Sequence, residues 1–176
     1  MIVTSSDFVG KYALSNSMYD TPDYDFYIDT YEREYLIALL GADLADLFIA
    51  DLIAGGGTPT IQRFIDIFVP FSIEYNWLFY ARGGTKRNWT SEGMNVMLTG
   101  FVYFEIVRDQ SNKMTPIGNV SSKGENSDAV RSFNSRMWDR YNRAIQNYRA
   151  IQSYIMKYRT DYPEFNGEIK KLAYWI

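Results

Sequence analysis

Val130, Phe133, Met137, Tyr141, Ala144, Tyr148, Ile151, Ile155 and Tyr158 recur at alternating intervals of mostly four and three residues. That spacing draws an apolar stripe along one face of an α-helix. It constrains the fold more than any other feature, because so long a seam needs a partner of comparable length. Asn126-Ser127-Asp128 stands before it as a capping sequence, and Asp161-Tyr162-Pro163 stands after it as a stop, so the helix is expected to run to Arg159. At 1.5 Å per residue it would reach on the order of 50 Å. A small core needs less, so part of it is expected to project or to pack on something else.

The partner lies upstream. A helix over about 91–109, opened by Thr90-Ser91-Glu92, carries Met94, Met97, Leu98, Phe101 and Phe104 on one side. Val96, Tyr103, Ile106 and Val107 cover most of the rest. A helix apolar nearly all round is a buried central helix. Gly100 in its middle costs ~1 kcal/mol against Ala, which predicts close packing against a neighbour.

The first third reads as helix too. Thr4-Ser5-Ser6-Asp7 is a capped short helix before Phe8, and Thr21-Pro22-Asp23 starts a longer one. Tyr24, Ile28, Tyr31, Tyr35, Leu36 and Leu39 form its inner face, and Gly41 ends it in a left-handed cap. A second helix follows at once, expected to bury Leu44, Leu47, Phe48 and Leu52 and to turn Asp43, Asp46 and Asp51 elsewhere, until Gly55-Gly56-Gly57 stops it. Two helices joined so tightly make a hairpin or corner. Ile61, Phe64, Ile65 and Phe68 have helical spacing, whereas after Pro70 the residues Ile73, Tyr75, Trp77 and Phe79 alternate with Ser72, Glu74, Asn76 and Leu78, predicting a small extended or β element around 70–80. ARGGTKRN (81–88) is an exposed basic turn.

The expected fold is therefore mainly α: one domain over 1–176, a bundle of about four main helices with a long C-terminal helix. A protruding loop or hairpin spans 112–126 within an arm over 110–127, and a tail covers 161–176. In the loop, Thr115-Pro116-Ile117-Gly118 is a strong turn signal. Ile117 and Val120 offer apolar contacts that a plain spacer lacks.

There is no Cys and no His. Thiol nucleophiles, Ser-His triads, imidazole acid–base chemistry and the usual zinc sites are excluded together. No catalytic residue, cofactor or metal is expected. The N-terminus lacks a signal-peptide pattern, and no apolar run approaches the ~20 residues of a membrane span, so a soluble protein made in a cytoplasm is expected. Aromatics make up 17% of the chain, which suits either a Tyr-rich core or a partner-rich surface.

The net charge of −3 is unevenly placed. Residues 1–60 hold ten acids against Lys11 and Arg33, giving −8; residues 61–176 hold sixteen bases against eleven acids, giving +5. The two halves are expected first to neutralise each other inside the fold, and second to pair between subunits; attraction of nucleic acid to the basic half is the third reading.

The local motifs are weak. GGGTPT (55–60) and ARGGTKR (81–87) lack the phosphate-loop pattern and its strand–loop–helix order. Asp43 and Asp46, one turn apart, offer a carboxylate-metal reading, against the commoner one of exposed acids on an amphipathic helix. Asn88-Trp89-Thr90 and Asn119-Val120-Ser121 are chance sequons in a chain without a secretion signal. Arg136, Arg140 and Arg143, loosely joined by Arg131 and Arg149, form a basic stripe. It is either a phosphate contact or a face turned to solvent or to an acidic partner.

EGMNVMLTGFVYFEIVRDQ (92–110), then TPIGNV (115–120), GENS (124–127) and a long aromatic helix resemble small head–tail connector (adaptor) proteins of tailed bacteriophages. The likeness is greatest to those of phages infecting Bacteroidetes, including the crAss-like group. YIDTYEREYLIALLGADLADLF (27–48) is similar to the helix, Leu39-Leu40-Gly41, helix opening of the same group. The resemblance covers roughly two thirds of the chain and is less clear over 57–90. It implies a helical structural virion protein without catalytic residues. Such a protein assembles as a homo-oligomeric ring, commonly a dodecamer, that binds the portal and other tail or connector proteins and surrounds double-stranded DNA without sequence preference during packaging and ejection. Thr115, Pro116, Ile117, Gly118, Asn119, Val120, Glu125, Asn126, Trp175 and Ile176 are the expected partner contacts, with Arg136, Arg140 and Arg143 facing DNA or an acidic partner. The alternative is a small nucleic-acid-binding protein using the Arg-rich long helix.

Overall fold

The computed structural model describes residues 1–14, 21–75, 87–111, 114–115, 118–119, 133–168 and 170. Two 3-10 turns, Ser5–Asp7 and Gly10–Tyr12, lead into α1 (Thr21–Leu40), α2 (Ala42–Ala54) and α3 (Gln62–Phe68). Strands β1 (Phe71–Tyr75) and β2 (Arg87–Ser91) precede α4 (Met94–Ser111), strands β3 (Met114–Thr115) and β4 (Gly118–Asn119), and α5 (Phe133–Lys157). A last 3-10 turn, Arg159–Asp161, follows.

The centre is α4, as its all-round apolar pattern requires. Every residue from 97 to 107 is buried, with α5 on one side and α1 on another. At Gly100 α4 and α5 approach closely: a Cβ there would stand 3.0 Å from Ala144 Cβ and 3.5 Å from the Arg140 carbonyl oxygen. The glycine is kept by proximity. Around it Phe101 stacks on Tyr35 with ring centroids 4.2 Å apart, and meets Tyr141 and Tyr148 edge-on at 5.5 and 6.1 Å. Much of the aromatic excess is thus core.

The seam of α5 holds Met137, Ala144, Tyr148, Ile151 and Ile155 in the core, with Tyr141 half-buried. Ile145, Asn147, Ala150, Gln152 and Ser153 are buried as well, so α5 is covered over more than a stripe. Its 25 described residues span about 37 Å. The expected cap at 126–128 lies outside the described residues.

Three expectations are corrected. Thr90-Ser91 does not open α4; both residues end β2, which pairs antiparallel with β1 in the register Phe71↔Ser91, Ile73↔Trp89 and Tyr75↔Arg87. Gly93, at φ +98°, then turns the chain into the helix. Trp89 explains the strand: it is buried, and its indole N–H donates to the Tyr75 carbonyl at 3.1 Å. Second, Gly41 has positive φ but not the left-handed helical geometry; at φ 84°, ψ 158° it is extended in the mirror region open essentially to glycine alone. Third, Leu47 is exposed while Asp51 is buried. Asp51 accepts from the Thr60 and Ile61 amides at 2.7 and 3.1 Å and from the Thr60 hydroxyl at 2.5 Å, tying α2 to the start of α3.

Burial pushes the Asp51 carboxyl up, but these three hydrogen bonds outweigh it and hold the group below its usual range. A depressed carboxylate stabilises the fold above its unfolded pKa of about 3.9, and that stabilisation is lost as pH falls through the folded value. Asp51→Asn is therefore expected to melt earlier than the native chain at neutral pH, with the gap closing below about pH 4; thermal melts across that window check it.

The segment after α5 returns across the end of α1. The Asn166 and Glu168 amides donate to Leu40 and Ala38 carbonyls at 3.1 and 2.7 Å. The Gln152 amide donates to Leu39 at 3.1 Å, and the Tyr148 hydroxyl stands 2.5 Å from the Ala38 oxygen. The last carbonyls of a helix have no intrahelical donor; here the tail and α5 supply them. Tyr162, buried, locks the turn by donating to the Arg63 carbonyl at 2.5 Å.

Candidate functional site

Of the expected contact residues, Thr115, Gly118 and Asn119 lie in a two-residue ladder, Met114↔Asn119 and Thr115↔Gly118. The loop that follows α4 therefore contains a short hairpin, one of the two forms expected. Pro116, Ile117, Val120, Glu125, Asn126, Trp175 and Ile176 lie outside the described residues.

The arginine stripe is not a row of equivalent cations. Arg143 is bound at its Nε to Glu92 Oε1 and Oε2 at 3.0 and 3.2 Å, and its Nη2 also pairs with Glu92. Glu92 further receives Lys11 at 3.4 Å, and the Arg143 hydrogen bond leads the effects that keep its carboxyl low. Its own amide donates to Asn147 Oδ1 at 2.9 Å. Glu92 thus joins the N-terminal segment, the start of α4 and the middle of α5. Arg140 lies over the Tyr103 ring at 4.6 Å and donates to its hydroxyl, a cation–π arrangement. Arg136 is exposed. Arg143→Ala is accordingly expected to cost up to about 1 kcal/mol, and Arg136→Ala within about 0.5 kcal/mol of nothing. Urea titrations of both variants at low and high salt check the difference.

Beside this junction an open groove of about 520 Å³ runs between the N-terminal segment and α4, with Asp7, Lys11, Tyr12, Glu92, Asn95 and Thr99 on its walls. Its polar groups are largely engaged within the protein: Asn95 donates to the Ile2 carbonyl at 3.1 Å, Thr99 to the Asn95 carbonyl at 2.9 Å, and Thr4 to Asp7 at 2.7 Å through its amide.

Two buried acids escaped the sequence reading. Glu32 accepts from the Ile2 amide at 2.9 and 3.0 Å and from the Val3 amide at 2.9 Å, pinning the chain start to α1. Glu105 takes the Tyr35 hydroxyl at 2.6 Å and Arg108 at 2.6 Å. Burial raises both carboxyls despite these bonds. Glu105 stood in a helix read as apolar and so carried a signal, a lone acid among core positions; Glu32 carried none.

Asp25, Asp29, Glu34, Asp43 and Asp46 are exposed on α1 and α2. Asp46 meets Arg33 at 3.5 Å, and among the described residues no group of three or more acids is gathered as a metal site would require. Ion pairs Arg33–Asp46, Arg63–Glu164 and Arg143–Glu92 each stay within one half of the chain, and Lys11–Glu92 runs from the acidic half's base to the basic half's acid. None of these neutralises the acidic half from the basic one. No described helix is long and apolar enough to cross a membrane.

The fold is thus a mainly α-helical one with a two-stranded antiparallel sheet and a long helix near its C-terminal end. Compared with family models, curated proteins and solved structures, the chain matches none.

Proposed function

We propose that this chain is a head–tail connector subunit, a structural virion protein forming a dodecameric ring between portal and tail around the double-stranded DNA channel of a tailed phage. It would be made in the host bacterial cytoplasm and carried at the head–tail junction. The observation that carries this reading is the set of exposed acids on α1 and α2, which the ion pairs just described leave unmatched by bases of residues 61–176. Ring closure needs two different faces on each subunit that fit one another. Exposed acids on the first 60 residues and bases on the remainder, Arg136 among them, are compatible with that requirement.

The resemblance supports the same reading. Its segments 27–48 and 92–110 correspond to the α1–α2 corner and to α4, around which the rest is packed. Electron microscopy of the purified protein mixed with its portal is the test, and rings seated on portal are the expected result. A protein that stays monomeric and ignores portal would overturn the proposal. The nucleic-acid reading has Arg136 in its favour, but Arg140 and Arg143 are engaged within the protein. It predicts salt-dependent DNA affinity that drops when all three become Ala; unchanged binding removes it.

A further inference from the structure

The outward arc of α2 carries two chemistries in succession. Asp43 and Asp46 occupy its first half, and Leu47, Ala50 and Ile53 its second, all of them exposed. Ile53 is 76% exposed and Leu47 44%. With Ala50 between them, Leu47 and Ile53 leave an exposed apolar strip on a helix whose other face is packed in the core.

The geometry points to its occupant: residues 171–176 of a second copy of this chain. That segment reads Lys-Leu-Ala-Tyr-Trp-Ile, the complementary order, with Lys171 for Asp43 and Asp46 and then Leu172, Trp175 and Ile176 for Leu47 and Ile53. The lengths agree. From Asp43 to Ile53 a helix rises about 15 Å, and the five steps from Lys171 to Ile176 would span about 16 Å if bound extended.

A neighbour's arc is the favoured seat for a physical reason. Lys170 holds its ammonium 4.9 Å from the Tyr35 ring centroid, and its carbonyl accepts from Arg149 Nε at 3.1 Å. Lys170, which leads into the segment, therefore lies on the side of α1 that bears Tyr35. Arg33, which reaches Asp46, is two residues earlier and so about 160° around the helix. Asp46, on the subunit's own α2 arc, thus meets α1 on the face opposite the one Lys170 covers. One segment on the next arc, repeated, is a heterologous contact of the kind that closes rings. This inference rests on the connector reading and names the contact within it.

The test uses the full chain with a benzophenone amino acid at position 175, mixed as light and nitrogen-15-labelled copies and irradiated. Cross-links are expected between copies of unlike mass, landing within 43–54. In sedimentation, Ile53→Glu and Trp175→Ala should each weaken self-association by at least about tenfold, and the double variant should be no weaker than either single one. Ile53 is exposed, so a melt matching the native chain verifies that Ile53→Glu still folds. Cross-links confined to one copy, or landing outside α2, overturn the inference, and so do fully additive losses. Rings on portal that are indifferent to both substitutions overturn it while leaving the connector reading intact. No ring from the unmodified chain with portal overturns the connector reading itself.

Discussion

Phe101→Ala is expected to remove about 3–5 kcal/mol of stability. The side chain is fully buried on the central helix and touches aromatics from both flanking helices, Tyr35 of α1 and Tyr141 and Tyr148 of α5. Truncation forfeits its burial and leaves a void that three rings anchored on two opposed helices cannot close together. Tyr35 and Tyr148 are further held by hydrogen bonds to Glu105 and to the end of α1, so they have little freedom to collapse inward. For a chain of this length each kcal/mol moves the midpoint by roughly 2–4 °C, so the melt should fall by about 10 °C. Phe101→Leu, which refills most of the space, should recover more than half of that loss. Equal losses from the two variants would mean that ring geometry, not volume, governs the site.

The second large effect is expected at the meeting of Gly41 and Gly167. A Cβ at Gly167 would lie 2.0 Å from the Leu39 carbonyl oxygen, and one at Gly41 would lie 2.8 Å from the Asn166 carbonyl carbon. Both obstacles are backbone, so neither can swing aside as a side-chain tip would. At Gly41 the φ of +84° adds strain of its own. Either Gly→Ala change should cost at least about 2 kcal/mol, but in different ways. Gly167→Ala should release 163–170 while leaving α1 and α2 in place, seen as new protease cleavage there with little loss of helical signal. Gly41→Ala should disturb the corner itself and lower the cooperative melt. Silent proteolysis in Gly167→Ala would show that the tail has a second way to dock.

Helices were legible wherever apolar spacing ran long. The α4 pattern gave a buried central helix because nearly every side chain in it is apolar, and Gly100 gave close packing because nothing else justifies a glycine there. Strand β2 was not legible. Arg87 to Ser91 is too short to show alternation, and Thr90-Ser91-Glu92 is as good a helix start as any until Trp89 has a carbonyl from β1 to donate to. Asp51 was misread for a related reason: its amide partners at Thr60 and Ile61 become neighbours only when the Gly55–Gly57 turn folds back. At the candidate surface, the stripe of three arginines was visible, but not that Glu92 and Tyr103 occupy two of them.

By itself the sequence determined that the chain is mainly helical, that α4 is its core, and that thiol and imidazole chemistry are absent. Those conclusions depend on residue type and local spacing, which the chain carries before it folds. Only the tertiary structure decided which polar groups are satisfied internally and which face outward. Tyr148, Gln152 and the tail close the end of α1, and Glu92 takes Arg143, because residues distant in sequence meet there. Asp25, Asp29, Glu34, Asp43 and Asp46 stay exposed, and in the ion pairs among the described residues none of them meets a base of residues 61–176. Satisfaction of buried polar groups is a property of pairs, and pairs across fifty or a hundred residues are chosen by packing.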